Sequence, residues 1–262
     1  MTGGEVAGAA VGGALGLIGG PVGIAAGAAG GVIATRIFRR IGSEVHSRWL
    51  SPREHSRVGG AFALAAAAIK FRLDAGESLR DDWFVAAEGT DRSEAEEGLE
   101  GVLKAAADAY EERKVPYLAN LYASAAFRRD ISAPYFNALL QLANRCTWRQ
   151  LVLMALLGED DTEFASKIDR LLDPVPEAPR EPAIAVWLDL DALAFAGLVG
   201  VRQEDGSSAH LAAVLEGGSF RNLGWSRACL TSAGVDLSEL MCLDAMPRED
   251  VDGVISALKR GT

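Results

Sequence analysis

Histidine and cysteine are scarce in this sequence, with His46, His55 and His210 and Cys146, Cys229 and Cys242 the only ones among 262 residues. None of the histidines has metal-ligand spacing to another histidine or to a cysteine, so no metal site is expected. The cysteines are odd in number, far apart and without a CxxC pair, which points to reduced, buried thiols in a cytosolic body. No two glycines stand two apart, so the dinucleotide fingerprint GxGxxG is missing; GxxxxGK[ST] and the GxSxG elbow are missing too. What is left for catalysis is a set of scattered carboxylates such as Asp81, Asp82 and Glu88. The expectation is a protein that is not an enzyme and needs no cofactor.

Positive charge is also in short supply, with 26 Lys and Arg against 36 Asp and Glu. The deficit is uneven. Residues 1–57 hold Arg36, Arg39, Arg40, Arg48, Arg53 and Arg57 against Glu5, Glu44 and Glu54, net +3. That leaves 20 basic and 33 acidic residues, net −13, for 58–262. Binders of DNA present basic faces, so nucleic acid is not an expected partner of the acidic body. The chain is 49% hydrophobic, enough to bury a core.

Charge of either sign is absent from Val6 to Thr35. Ten of these 30 residues are Gly, nine are Ala and nine are Val, Leu or Ile. Glycine recurs at Gly4, Gly8, Gly12, Gly16 and Gly20, and again at Gly23, Gly27 and Gly31. In water this is a poor helix, because ten glycines cost on the order of 10 kcal/mol relative to Ala. A flexible Gly/Ala tail is the competing reading, but a tail needs neither aliphatics nor a register. In lipid, backbone polar groups must pair internally, and the segment becomes helical despite its glycines. Glycines four apart then line a groove that a second helix can approach closely. The spacing predicts a glycine zipper packed through these eight positions, with homo-oligomerisation as its corollary. A secretory signal is not expected, since the first charged side chain is Glu5 rather than a basic residue.

Gly19-Gly20-Pro21 stops one helix and opens another, because Pro suits a first helical position. Arms near 4–18 and 21–40 then form a hairpin. An uncharged arm of about 15 residues measures roughly 22 Å, short of the ~30 Å hydrocarbon core. Spanning requires a thinned bilayer or help from Ile37 and Phe38; a single kinked helix is the alternative. Arg36, Arg39 and Arg40 are the candidate contacts to anionic lipid, and they place the body on the cytoplasmic side of the inner membrane.

The body reads as helices. Ser51, Pro52 and Glu54 form a capping-box start for a helix to about Leu73. Leu99, Val102, Leu103, Ala106 and Tyr110 share a face of the next helix, which Pro116 breaks or kinks. A helix over 117–129 follows, then "SAPYFNALLQLANRC" and "TWRQLVLMALLGE", the latter capped by Thr147. Glu159-Asp160-Asp161 reads as a solvated turn, and the four prolines of 173–182 as a linker. Beyond it come a helix over 183–196, a strand at Leu198–Gln203, a long loop, a strand near Ser226–Leu230 and a helix. That order resembles a winged helix with its wing between the strands. The first of these helices carries Asp189 and Asp191 and no Lys or Arg, leaving Arg202, Arg221 and Arg227 as the only basic contacts. A closing helix follows, with Asp250 as its cap or first-turn acid.

"YLANLYASA", "APYFNALLQLANRCTWRQLVLMALL", "GLVGV" and "CLTSAGVDLSELM" together resemble the abortive-infection alpha family of bacterial antiphage proteins. The resemblance covers most of residues 100–243 and implies a role in phage defence without assigning an active site. A glycine-rich zipper in place of a bulkier hydrophobic N-terminus departs from the family.

The expected fold is mainly α, with a glycine-zipper hairpin at 1–40, a helical domain at 41–146 and a winged-helix-like domain with two short strands at 147–262. The expected function is a membrane-associating, self-oligomerising antiphage effector. Its zipper enters lipid under control of the cytoplasmic body and of a protein partner not yet identified. The alternative is a soluble winged-helix regulator that binds DNA and assembles through its Gly/Ala segment. Because Gly and Ala bury little side-chain area, the body is expected to fold from about Ser47 onward.

Overall fold

The computed structural model describes residues 33–41, 51–82, 92–158, 181–202, 208–209 and 228–261. The fold is mainly helical, with a small antiparallel sheet toward the C-terminus. The chain divides into two compact units, Met1–Arg145 and Cys146–Thr262. Of the expected hairpin, the zipper glycines from Gly4 to Gly31 lie outside the described residues.

The first unit contains α1 (33–41), α2 (Pro52–Asp74), α3 (Glu94–Asp108), α4 (Val115–Ala125) and α5 (Ala133–Arg145). Helix starts follow local chemistry. The Ser51 side chain accepts from Glu54 N while Glu54 reaches back to Ser51 N, and Ser93 and Glu96 repeat the reciprocal pair on α3. The core lies where α2 packs on α3 and α4, and where α5 closes over α3 and α4. Leu99, Val102, Leu103 and Ala106 are all buried, as their helical spacing predicts.

Tyr110 departs from that pattern, because α3 stops at Asp108, where Ala109 turns to an extended conformation. Tyr110 lies in the connection and is 78% exposed. Pro116 sits in the first turn of α4, where a missing N–H costs nothing, so it opens a helix rather than kinking one. That helix ends at Ala125, short of the expected 129, and a buried arginine covers its carbonyl end. Arg80 Nη1 donates to Ala125 O (3.3 Å), to Ile131 O (2.6 Å) and to Arg128 O, and Nε donates to Asp82 Oδ1 (2.5 Å). A cation suits the carbonyl end of a helix, and these acceptors satisfy a guanidinium removed from water.

Residues 33–41 also belong to this core. Ala34, Ile37, Phe38 and Ile41 are buried at spacings of three and four, the inward stripe of an amphipathic helix. The Phe38 ring lies edge-on to Phe62 of α2 (centroids 5.0 Å, 75°) and to Tyr122 of α4 (6.2 Å, 76°). Tyr122 continues the contact to Phe136 of α5 (6.4 Å, 73°). The expectation of a body that folds from about Ser47 onward rests on the small Gly and Ala side chains, whereas α1 adds three large side chains, Ile37, Phe38 and Ile41, to this core.

The second unit is organised on α6 (Trp148–Gly158), whose residues Leu151 to Leu156 are all buried. Thr147 caps it as expected, accepting from Gln150 N (3.2 Å) while Gln150 Oε1 accepts from Thr147 N (2.9 Å). Around α6 pack α7 (Glu181–Phe195), α8 (Ser232–Met241) and α9 (Arg248–Gly261). The sheet has the order β2-β1-β3, with β1 Val199–Arg202, β2 Ser208–Ala209 and β3 Ala228–Leu230. β1 pairs antiparallel with β3 through Val199↔Leu230, Gly200↔Cys229 and Val201↔Ala228. β2 lies in the stretch read from the sequence as loop. Glu249 and Asp250 fall in the first turn of α9, where negative charge is favoured.

One joint in this unit tolerates no substitution. Thr231 caps α8 at Gly234 N and also donates its hydroxyl to Gly197 O (2.6 Å). A Cβ on Gly234 would sit 2.0 Å from Leu198 O, a backbone atom that cannot swing aside.

Two outcomes are expected from this packing. Burial of Ile37, Phe38 and Ile41 contributes roughly 5–9 kcal/mol at ~1.5–3 kcal/mol each. This is comparable with a whole domain stability of about 5–15 kcal/mol. A chain starting at Ser47 should therefore lose most of its resistance to urea relative to full length; an unchanged midpoint would show that α1 adds nothing. Gly234→Ala should cost about 3 kcal/mol through overpacking. Gly60→Ala, with nothing within 4 Å of its Cβ, should gain up to about 1 kcal/mol from helix propensity. Thermal unfolding of the two variants reads both signs.

Candidate functional site

The candidate site is the basic end of the glycine segment. In α1 the helical period that turns Ala34, Ile37, Phe38 and Ile41 inward turns Arg36, Arg39 and Arg40 outward, and all three are exposed. Arg36 and Arg40 stand one turn apart, with Arg39 beside them, so three guanidiniums line one edge of a short helix. The opposite face of the helix that carries the three candidate lipid contacts is protein core, which their spacing alone does not indicate.

One of the three is tethered. Arg40 Nη1 lies 3.3 Å from Glu96 Oε2, and the Glu96 side chain is only 1% exposed. The same carboxylate oxygen accepts from Ser93 N at 2.9 Å. It therefore has two jobs: closing the capping box of α3 and holding the end of α1. Tyr122 is fully buried beside it and donates to Ala95 O (3.2 Å). Burial first, and the Glu96 charge second, push the Tyr122 phenol well above its ordinary range, so it stays neutral. The Ser93–Glu96 spacing marks a capping box in the sequence, but nothing there links Glu96 to Arg40, 56 residues away.

Other candidates disperse. Asp81 pairs with Arg129 (3.0 Å), whereas Asp82 is held by Arg80 (2.5 Å), so the two neighbouring carboxylates serve different arginines. Glu88, Glu159-Asp160-Asp161, His46 and His210 lie outside the described residues, and His55 is half-buried in the first turns of α2. Among the described residues, no group of His, Cys, Asp or Glu could hold a metal ion. Among the same residues, no helix is long and apolar enough to cross a membrane.

In the second unit Asp189 is buried, accepting from Gln150 Nε2 (3.1 Å) and from Arg149 Nε. The charge expected on the surface of α7 is thus partly spent inside the unit. The outward face of α7 instead carries Ile184, Leu188 and Phe195, the last 79% exposed. Arg202 is exposed at the end of β1, while Arg221 and Arg227 lie outside the described residues.

No disulfide joins the three cysteines; Cys146 and Cys229 are buried, and Cys242 is partly accessible at a backbone φ of 54° that ends α8. Burial raises the Cys229 thiol above its usual range, the reverse of what a nucleophile needs.

Comparison with known protein families, with curated proteins and with solved structures finds no match to this chain.

The thiol arrangement has a measurable consequence. Alkylation by iodoacetamide at pH 8 should label Cys242 first and reach Cys146 and Cys229 only in denaturant. Mass spectrometry of the native protein checks this, and early labelling of Cys229 would contradict its burial.

Proposed function

We propose that this chain is a non-enzymatic, self-associating membrane protein whose N-terminal glycine zipper enters the cytoplasmic membrane while the helical units remain in the cytoplasm. One observation carries the reading: an uncharged stretch with glycine at every fourth position runs directly into a helix whose solvent edge is Arg36, Arg39 and Arg40. The glycine register supplies a close-packing face for other copies. The arginines supply the affinity for an anionic leaflet that a segment so poor in large side chains lacks. The resemblance to abortive-infection alpha proteins makes phage defence the proposed setting, with a protein partner acting through the body.

We read the second unit as winged-helix-like on the order α7, β1, β3, α8, and assign it to protein contact. Support comes from Ile184, Leu188 and Phe195 on the outward face of α7, where a DNA reader would place Arg or Lys. The competing assignment, a soluble DNA-binding regulator, is favoured only by Arg202 at the strand end.

Fractionation separates the two. The full-length chain should pellet with membranes and leave them when residues 1–32 are deleted, a truncation that keeps α1 in the core. Gly8, Gly12 and Gly16 changed together to Leu should keep membrane affinity, since Leu inserts better than Gly, yet abolish crosslinked oligomers. Arg36→Gln with Arg39→Gln should weaken binding to anionic vesicles by roughly thirtyfold, at ~1 kcal/mol per charge, and leave neutral vesicles unaffected. Full solubility with salt-sensitive duplex binding would establish the regulator instead.

A further inference from the structure

Helix α2 is apolar on every side over three turns. From Val58 to Ile69 it reads VGGAFALAAAAI, with no charged or polar side chain. A helix that is hydrophobic all round is normally covered all round. In α2 only one side is covered: Val58, Phe62, Ala66 and Ile69 are in the core, whereas Leu64 is 42% and Phe71 75% exposed. Ala67 is exposed between them, and Gly60 is half-buried one turn before Leu64. Gly60 has no reason inside its own chain. A glycine weakens a helix interior, and no atom lies within 4 Å of where its Cβ would be.

The outer residues form a seam. Arg57, Gly60, Leu64, Ala67, Phe71 and Asp74 alternate in steps of three and four, the a/d positions of a heptad, over about 26 Å of helix. Any such seam is symmetric about its midpoint, here between Ala65 and Ala66. What is particular is the content of the symmetric positions. Leu64 is matched with Ala67, Phe71 with Gly60 and Arg57 with Asp74: large with small twice, and cation with anion once. A second copy laid antiparallel across a two-fold axis brings the matched residues together, since each contact in such an interface occurs twice.

We propose that α2 is a homodimer interface, in which two copies of the chain pair antiparallel along the seam from Arg57 to Asp74. Each Phe71 ring takes the space over Gly60 of the second copy, and each Leu64 packs on Ala67 of the second copy. Arg57 and Asp74 meet at both ends. Within its own chain Asp74 pairs with Lys70 (2.6 Å) and stays 41% exposed, so a second cation can reach it. Arg57 donates Nη1 to Ala109 O and carries further N–H groups on its fork. Lipid is the poorer occupant, because interfacial helices bury bulky side chains and two of the four apolar seam positions are Gly and Ala. The contact belongs to the body and does not rest on the membrane reading. One helix pair of this length falls at or below the ~1,200 Å² lower bound of standard interfaces, so half-dissociation is expected at about 10 μM.

Disulfide trapping in the full-length chain tests the geometry. Gly60→Cys with Phe71→Cys places a thiol at each of two matched positions, and Cys242→Ser removes the partly accessible native thiol. On one helix these positions are about 16 Å apart, beyond the ~7 Å Cα separation that a disulfide bridges, so a bond between them joins two chains. Mild oxidation at several times the dissociation concentration should give a covalent dimer, with the linkage between 60 and 71 assigned by mass spectrometry. Either cysteine substitution alone should give none, because the antiparallel seam keeps like positions apart. A dimer from Gly60→Cys alone would mean parallel pairing and overturn the proposal.

Adding Ala67→Lys sets a charge against Leu64 of the second copy and should cut the cross-linked fraction about tenfold. Position 67 is exposed in the single chain, so circular dichroism and thermal unfolding of Ala67→Lys in dilute solution should match the unaltered protein. Equal cross-linking with and without Ala67→Lys would mean random collision and no seam. No linkage between 60 and 71 would overturn the dimer. If the unaltered protein then floats with phosphatidylcholine vesicles and Phe71→Lys does not, the face belongs to lipid instead.

Discussion

The first unit depends on one ring being accommodated edge-on between two others. Phe38 meets Phe62 and Tyr122, and Tyr122 meets Phe136, so four helices are joined through a single run of aromatic edges. Edge-to-face pairs at these separations are favoured over stacked ones and are sensitive to position. The run places α1 as much as α1 completes the run. A helix of nine residues does not hold by itself in water; α1 exists because Ile37, Phe38 and Ile41 are buried. The polar groups beside the rings are satisfied with equal economy. Tyr122 donates to Ala95 O, and Glu96 accepts from Ser93 N and Arg40.

A second cation solves a different problem in the same unit. Arg80 is wholly buried, yet it is surrounded by the carbonyls left open after α4 and by the Asp82 carboxylate. The charge adds to the backbone turn bonds of this connection, Phe127 N–H to Ser124 O (3.0 Å), Arg128 N–H to Ala125 O (3.3 Å) and Ile131 N–H to Arg128 O (3.4 Å). In the second unit the comparable constraint is steric. Thr231, Gly197, Leu198 and Gly234 bring the start of α8 onto the start of β1 at backbone contact distance, and the sheet is in register because that joint is closed. Asp189 then ties α7 to the first turn of α6 through Arg149 and Gln150.

These arrangements bear on function through what they leave outside. Asp81 and Asp82, two of the scattered carboxylates left for chemistry in the sequence, are paired with Arg129 and Arg80, and Asp189 is held by Arg149 and Gln150. Among the described residues, the exposed surface includes a basic edge on α1 and an apolar face on α7. Under the function proposed above, the first would meet anionic lipid and the second a protein. Both lie on helices whose opposite faces are core.

Local order was readable in the chain. The capping pairs at Ser51 and Thr147, the stripe from Leu99 to Ala106 and the two strands flanking residues 203–227 follow from interactions spanning a few residues, and a one-dimensional pattern carries these in full. The glycine register and the arginines after it were equally plain as a pattern. Tertiary structure decided which environment each pattern meets. Tyr110 continued the stripe on paper, but α3 ends before it. Phe38 read as the tail of a membrane arm, but its slot is assembled from residues at 62 and 122. Asp189 counted on paper only as negative charge on the helix over 183–196, but its side chain is held by Arg149, some 40 residues away. Spacing along the chain sets which side chains share a face of a helix. What that face touches is set by helices brought together from elsewhere in the sequence, and by whether a buried charge finds a partner there.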